Sequence, residues 1–448
     1  MKKNEIITLE ITDITSEGNG VGKSDGIAVF VPETAVGDVI KAKIVKVLKS
    51  YCFGIVQKII TPSKDRIASD CPYFPKCGGC SFRHISYESE ARLKEKFVYD
   101  AFTRIGKIET EFMPILSCEN PDRYRNKAQY PVGVSENGNI CGFYAKRSHR
   151  IIQGTDCRLL PENFSRVAEF IINYTNENNI PAYDEATGNG ILRHIFIRQG
   201  YHSKDIMICF VVTKKVNFDK LCYELTENFS NIKSIVMNIN PDNTNVILGK
   251  KTVTLYGESF ISDNMCGNIV DIAPQAFYQV NTPQAEKLYA QAKEFAQLSG
   301  GEILIDLYCG AGTIGLSMAD KVKKLIGVEI VPQAVENAKK NALKNNISNT
   351  EFICGDAGKA AEELLQNGVQ PDVVVLDPPR KGCDNKTLDA VTKMNPKKIV
   401  MISCNPATAA RDCKMFEENG YKTAMVRAVD LFPRTGHVEC VVLLTRNN

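Results

Sequence analysis

From about residue 275 the chain alternates strand and helix so regularly that few folds can accommodate it. Short apolar segments at 302–307, 324–329, 350–354, 373–376 and 398–402 are separated by helical segments at 313–319, 332–345, 357–366 and 387–394. A helix over 283–298 precedes them; a helix over 407–418 and two final strands follow. Strands linked only through helices pair in parallel, and a parallel sheet needs helices on both faces to cover it. The pattern predicts an α/β fold with a doubly wound sheet. Its ligand should sit at the carboxyl ends of the strands.

Those strand ends carry chemistry. The first turn reads Asp306-Leu-Tyr-Cys-Gly-Ala-Gly-Thr-Ile-Gly315, so Gly310, Gly312 and Gly315 form G-x-G-x-x-G. Glycines there allow a tight turn and close approach to a ligand, but dinucleotide folds share the motif. Acids at successive strand ends narrow the ligand to S-adenosylmethionine (SAM). Asp306 can hold an ammonium group, Glu329 can accept both ribose hydroxyls, and Asp356 lies near the adenine. Asp377-Pro-Pro-Arg380 ends the fourth strand, where two prolines fix the backbone beside the methyl group. Any one of these acids alone could equally be a cap or turn residue.

The fifth strand ends in Ser403-Cys404-Asn405-Pro406, and the last hairpin carries Asp430-Leu-Phe-Pro-Arg-Thr-Gly-His-Val-Glu439. A cysteine between a strand end and a helix N-terminus is where a thiolate is exposed and electrostatically favoured; the plainer alternative is core packing. A pyrimidine C5 is a poor nucleophile. Adding a thiolate to C6 makes C5 enolate-like, so that it can take a methyl group from a sulfonium; a base then removes the C5 proton and the thiolate leaves. Cys404 as nucleophile and Glu439 as base fit that chemistry.

The rest of the chain divides by texture. A length of 448 residues allows roughly three domains. Residues 1–60 read as short strands around Gly-rich turns, with 16–22 as one turn, and suggest a small barrel of the oligonucleotide-binding type. Residues 61–255 form a mainly β central domain. It opens with a loop-rich stretch over 61–85 and has one helix at 162–176. A charged helix over 86–104 has Leu93, Phe97, Ala101 and Phe102 on a face that can pack on the catalytic domain. Residues 256–448 are the domain of alternating strands and helices.

A net charge of +3 is far from that of a simple nucleic-acid binder, so local pattern matters more. Arg123, Arg125, Lys127, Lys146, Arg147, Arg150 and Arg158 cluster against Glu136 and Asp156, interleaved with Tyr124, Tyr130, Phe143 and Tyr144. Such a mixture can neutralise phosphates and stack on bases, or be a solvated β surface. Arg123, Arg125 and Lys127 are the candidate RNA contacts. No apolar run approaches the ~18–20 residues of a membrane span, and Met1-Lys-Lys-Asn-Glu-Ile-Ile lacks a secretory apolar region. The expected location is the cytoplasm, where the 16 cysteines stay reduced. Cys71-x5-Cys77-x2-Cys80 with the distant Cys157 has a spacing that admits zinc or an iron–sulfur cluster.

Ser-Cys-Asn-Pro, Asp-Pro-Pro-Arg, Phe-Pro-Arg-Thr-x-His-Val-Glu and Phe277-Tyr-Gln-Val-Asn281 resemble motifs of the RumA/TrmA family of RNA uracil-5-methyltransferases, along essentially the whole chain. The resemblance implies a class I SAM-dependent methyltransferase, with Cys404 as nucleophile and Glu439 as base. It implies SAM contacts from Gln279, Tyr308, Thr313, Glu329, Asp356 and Asp377, Thr313 standing where relatives commonly have Asn. Arg380 would hold the uridine or its phosphate. Cys71, Cys77, Cys80 and Cys157 would bind a [4Fe–4S] cluster, and the N-terminal barrel resembles a TRAM domain. Barrel and cluster together shift the expected substrate from tRNA toward a loop or splayed-out uridine of 23S ribosomal RNA, bound by a monomer. The rivals are a tRNA uracil-5-methyltransferase, an RNA cytosine-5-methyltransferase and a non-enzymatic ribosome-assembly protein.

Overall fold

The computed structural model describes residues 1–447. The N-terminal unit is a six-stranded sheet in the order Ile6–Glu10, Val39–Val47, Tyr51–Thr61, Ile27–Pro32, Asn19–Ser24, Asp13–Ile14. Alternation sets its inside: Ile40, Ala42 and Ile44 join Leu9, Val29 and Val31 in the core, while Lys41 and Lys46 face solvent. The expected turn over 16–22 is a correction, because its second half is the strand Asn19–Ser24. Gly20 and Gly22 serve close packing there; a Cβ would strike Thr34 at the first and the Glu10 carbonyl at the second.

The central unit is a seven-stranded sheet in the order Ile151–Gln153, Gly138–Tyr144, Lys127–Ser135, Leu192–Gln199, Ile206–Val212, Ile232–Ile239, Lys251–Gly257. Helix Glu162–Glu177 backs one face, and so does Asp219–Asn228, a helix absent from the sequence reading. The opposite face is buried too. Phe196, Met207, Cys209 and Val211 pack with Leu288 and Tyr289 of helix Thr282–Ala296. That shared core fixes the central sheet against the C-terminal half.

The C-terminal sheet has eight strands, in the order Thr350–Cys354, Lys324–Glu329, Ile303–Leu307, Val373–Leu376, Lys398–Ser403, Glu439–Arg446, Tyr421–Val429, Glu111–Leu116. The first five are parallel, and Glu439–Arg446 runs antiparallel between its neighbours. The edge strand corrects the expected 61–255 unit. Glu111–Leu116 pairs parallel with Tyr421–Val429, so a segment before the central sheet completes the catalytic one. Helix Tyr87–Asp100 comes with it and buries Val98 in the same core. The expected helix to 104 changes to a wider π-type turn over Ala101–Gly106.

That helix also carries a charge into the interior. Lys94 is fully buried and donates to Glu90 Oε1 at 2.7 Å, Asp430 Oδ1 at 2.7 Å and the Phe432 carbonyl at 3.0 Å. Tyr87 donates to Asp430 Oδ2 at 2.9 Å, and the Arg434 amide to Glu90 at 2.6 Å. The network pins the 430–437 loop, which leads into Glu439. Lys94→Met leaves buried Asp430 without a cation and Glu90 with only Arg434, 3.7 Å away, so the expected loss is about 3–5 kcal/mol of folding stability by urea titration. A loss below about 1 kcal/mol would show that the ion pairs do not hold the loop.

Candidate active site

A cleft of about 1460 Å³ opens at the carboxyl ends of the parallel strands. Its lining includes Lys127, Gln279, Tyr308, Thr313, Glu329, Asp356, Asp377, Arg380, Cys404 and Glu439. Residues spread over three hundred positions of sequence thus reach one cavity, as the strand–helix alternation requires.

The glycine turn is built on left-handed backbone at Tyr308, Gly310 and Gly312 (φ 68°, 55° and 80°). Asp306 is a correction to the expected ammonium contact. It is 1% exposed, lies beneath the turn rather than on the cleft lining, and accepts from the Gly315 amide at 2.9 Å. Its Oδ1 has no partner, and burial pushes its carboxyl up to about 8. Glu329 braces the same turn, accepting from the Gly310 amide at 3.1 Å and the Val331 amide at 2.8 Å. Asp356 caps helix Ala357–Gln366 through the Lys359 amide at 3.2 Å. Thr313 shares a 3.4 Å hydrogen bond with the Tyr289 hydroxyl, and Tyr308 donates to Thr387 at 3.2 Å. Phe277, 73% exposed, stands on the cleft lining.

Two loops converge beside this turn. Asn405 caps helix Pro406–Glu418 by accepting from the Ala407 amide at 3.2 Å, and its Nδ2 donates to the Arg380 carbonyl at 3.1 Å. One side chain therefore fixes the Asp377–Arg380 loop to the loop bearing Cys404. Glu439 is 5% exposed on the first residue of its strand. Burial, then the Asp377 carboxylate, pushes its carboxyl up to about 8, with Arg380 opposing. Burial also raises Asp377 to about 7. The favoured thiolate expected at Cys404 is corrected: its thiol is pushed up, first by burial and then by Glu439 and Asp377, with Arg380 opposing. Burial is the largest cause, and the two carboxylates add to it.

The candidate RNA contacts separate. Arg123, expected as an RNA contact, is engaged as a brace and also lines a pocket with Arg125. It pairs with Asp156 at 2.8 Å and donates to the carbonyls of Cys157 and Leu160, both at 2.9 Å. Arg125 lines a smaller pocket of about 410 Å³ with Tyr201 and Lys204. Lys127 faces the main cleft, and Lys146, Arg147 and Arg150 are exposed. Sequence reading missed His437, Phe432 and Tyr289 on the cleft, although the first two lie inside a motif it singled out.

Cys71, Cys77, Cys80 and Cys157 gather in one neighbourhood. Cys80, Cys77 and Cys157 are each raised by burial, and the charge of another member of the set adds to it; Cys80 reaches about 12. Backbone contacts of Cys77 with Ala145, and of Gly78 with the Tyr144 carbonyl at 3.1 Å, tie the first three to the end of strand Gly138–Tyr144. Among the described residues, no three His, Cys, Asp or Glu side chains converge on a single metal ion. Most of the remaining cysteines are buried, as small apolar filler should be; Cys266 is partly exposed and Cys354 is exposed. No helix among the described residues is long and apolar enough to cross a membrane.

Residues 244–447 match the family described as tRNA (Uracil-5-)-methyltransferase, and residues 2–56 match the TRAM domain. An uncharacterized RNA methyltransferase of Oceanobacillus iheyensis is 45% identical over 450 residues, covering 99% of this chain and 97% of the relative. One from Clostridium tetani is 42% identical over 447 residues, with 99% and 97% covered. The crystal structure of Pyrococcus abyssi tRNA (uracil-54, C5)-methyltransferase with S-adenosyl-L-homocysteine superposes with a TM-score of 0.78 at 25% identity, over 98% of this chain and all of that one. That likeness runs through the barrel, the central sheet and the cleft-bearing sheet alike. The chain therefore belongs to the RumA/TrmA-type family of SAM-dependent RNA uracil-5-methyltransferases.

Proposed function

We propose that this chain methylates C5 of a uridine in 23S ribosomal RNA through a covalent adduct between Cys404 and C6. The observation that carries the reading is the meeting of Cys404, Glu439 and Asp377 in one cleft, near enough that both carboxyls act on the Cys404 thiol and Asp377 acts on Glu439. The Cys404 sulfur adds to C6, and the electron pair of the C5–C6 bond moves toward O4. C5 then takes the methyl group that SAM supplies. Glu439 removes the C5 proton, the C5–C6 double bond re-forms, and the C6–S bond breaks to return the thiolate. Gln279, Tyr308, Thr313, Glu329, Asp356 and Asp377 are the residues that would hold SAM. Their fit to a cationic sulfonium is supported by the Asp377 carboxyl on the cleft lining, which burial raises to about 7, since a positive charge there favours its ionised form. Arg380 would hold the uridine or its phosphate.

Protonation sets the pH response. Cys404 must lose its proton before attack and Glu439 must be ionised before it takes the C5 proton, and both groups are raised. The rate is therefore expected to climb with pH through about 8 and not to fall across that range. A profile of kcat/KM already flat from pH 6 would contradict this.

A second reading has its own support. The Pyrococcus abyssi protein acts on tRNA, and it covers the barrel as well as the catalytic half, so the barrel does not separate the two substrates. Transcripts of 23S RNA and of tRNA, incubated with labelled SAM and digested to nucleosides, decide the matter. 5-Methyluridine in 23S RNA is the expected result. Product only in tRNA favours the second reading, and 5-methylcytidine overturns both.

The resemblance, together with the mutual influence of the four thiols, is what supports a [4Fe–4S] cluster that would tie residues 71–80 to the segment around Arg158, although among the described residues the side chains do not converge on one ion. The cluster would have a structural or RNA-shaping role, because the methyl transfer is polar and moves no electron. Anaerobically purified protein should carry iron and sulfide in equal amounts, and Cys80→Ser should lose both. Stoichiometric zinc without iron would overturn the assignment. The enzyme would act as a cytoplasmic monomer.

A further inference from the structure

Lys127 and Arg198 stand directly opposite each other in the antiparallel pairing of strands Lys127–Ser135 and Leu192–Gln199. The Cβ atoms of such a pair lie about 4.5–5.5 Å apart, and like charges placed so repel. Arg198 is 5% exposed. Its Nη2 donates to the Ala276 carbonyl at 2.6 Å and its Nε has no partner. Arg125 lies close enough to add to the charge on Lys127, and its Nε is also without a partner. Among the described residues no carboxylate forms a salt bridge with any of the three, and the groups that act most on Arg125 are Tyr124, Cys157 and Cys80. Arg123 shows the contrast, since Asp156 and Glu162 neutralise it.

Arg198 is buried and Lys127 and Arg125 are half-buried, and positive charge gathered this way without an anion is costly to fold. Burial and its two neighbours pull Lys127 down to about 8, and burial pulls Arg198 down to about 10. The thiols of Cys80 and Cys157 act on Arg125, so the pair that lacks an anion is Lys127 and Arg198. Of these Lys127 lies on the wall of the catalytic cleft, with Arg198 buried opposite it on the neighbouring strand, and their anion must arrive from outside.

We propose that Lys127 and Arg198, with Arg125 beside them, form a phosphodiester site on the central-sheet wall of the cleft. It holds the RNA backbone next to the uridine presented to Cys404. The inference rests on the proposed function and deepens it. A guanidinium and an ammonium facing each other across one ladder position offer several donors to one phosphate, and the bound anion removes their mutual repulsion. The Ala276 carbonyl aligns Arg198 with the segment carrying Phe277 and Gln279, so phosphate and base would be positioned by one strap. The same cluster could instead take the carboxylate of SAM, the other anionic oxygen group that enters this cleft.

The test compares the full-length protein with Lys127→Met and with Arg198→Lys, which keeps its charge. Decauridylate binding is measured over a range of salt, SAM binding by calorimetry, and thermal stability alongside. For Lys127→Met the expected results are oligonucleotide affinity lowered about five- to tenfold, a salt slope shallower by about 0.7, SAM affinity unchanged, and a melting temperature equal to or above that of the parent. Arg198→Lys should keep the parental salt slope. Unchanged oligonucleotide affinity and slope in Lys127→Met would overturn the site, as would loss of SAM affinity with RNA binding intact, or a lowered melting temperature. Absence of 5-methyluridine on every RNA tested would count against the proposed function and leave this binding readout standing.

Discussion

Cys404→Ser should leave the protein folded and able to bind SAM, yet lower uridine methylation at least about a thousandfold. The expectation follows from bond-making rather than from packing. Cys404 is only partly buried, and its loop is held by Asn405 through contacts that do not involve sulfur, so serine fits without disturbing them. A hydroxyl is a far weaker nucleophile toward C6, and the two carboxylates that raise the thiol would raise the hydroxyl too. Without addition at C6, C5 has no electron pair to offer the methyl group. RNA containing 5-fluorouridine gives a second readout. The parent should form a protein–RNA complex that survives denaturing electrophoresis, because fluorine cannot leave as a proton, and Cys404→Ser should form none. Turnover within about tenfold of the parent would exclude a thiolate route.

The catalytic sheet was legible because period and spacing are local. Each strand end carried its acid or cysteine in a short motif, and Glu329, Asp356, Asp377 and Cys404 reach one cleft while Asp306 lies beneath it. What escaped depended on partners distant in sequence. Glu111–Leu116 is a catalytic strand only because Tyr421–Val429 leaves an edge for it, three hundred residues away. Asp306 looked like a ligand contact because strand-end acids often are; only the fold shows the Gly315 amide occupying it. Arg123 and Lys127 read alike in a basic stretch, and they part because Asp156 reaches one and Arg198 faces the other. The thiol at Cys404 was misjudged for the same reason, since Glu439 and Asp377 come from different strands.

In the proposed mechanism Glu439→Gln isolates the second half of the reaction. Glutamine keeps the shape of a 5%-exposed side chain but cannot accept the C5 proton. Addition and methyl transfer should proceed, and release of the methylated adduct should slow by about 10²- to 10⁴-fold. A covalent complex with ordinary uridine RNA should therefore accumulate, which the parent shows only with 5-fluorouridine. The same substitution makes a stability prediction of opposite sign. The folded-state value of Glu439, about 8, lies above its ordinary 4.5, so its contribution to stability is complete below 4.5 and is lost as pH rises through 8. Glutamine has no proton to lose. The variant should match the parent near pH 5 and melt at a higher temperature at pH 9. A variant that is less stable at pH 9 and forms no adduct would mean that Glu439 is a structural residue and that the proton leaves by another base.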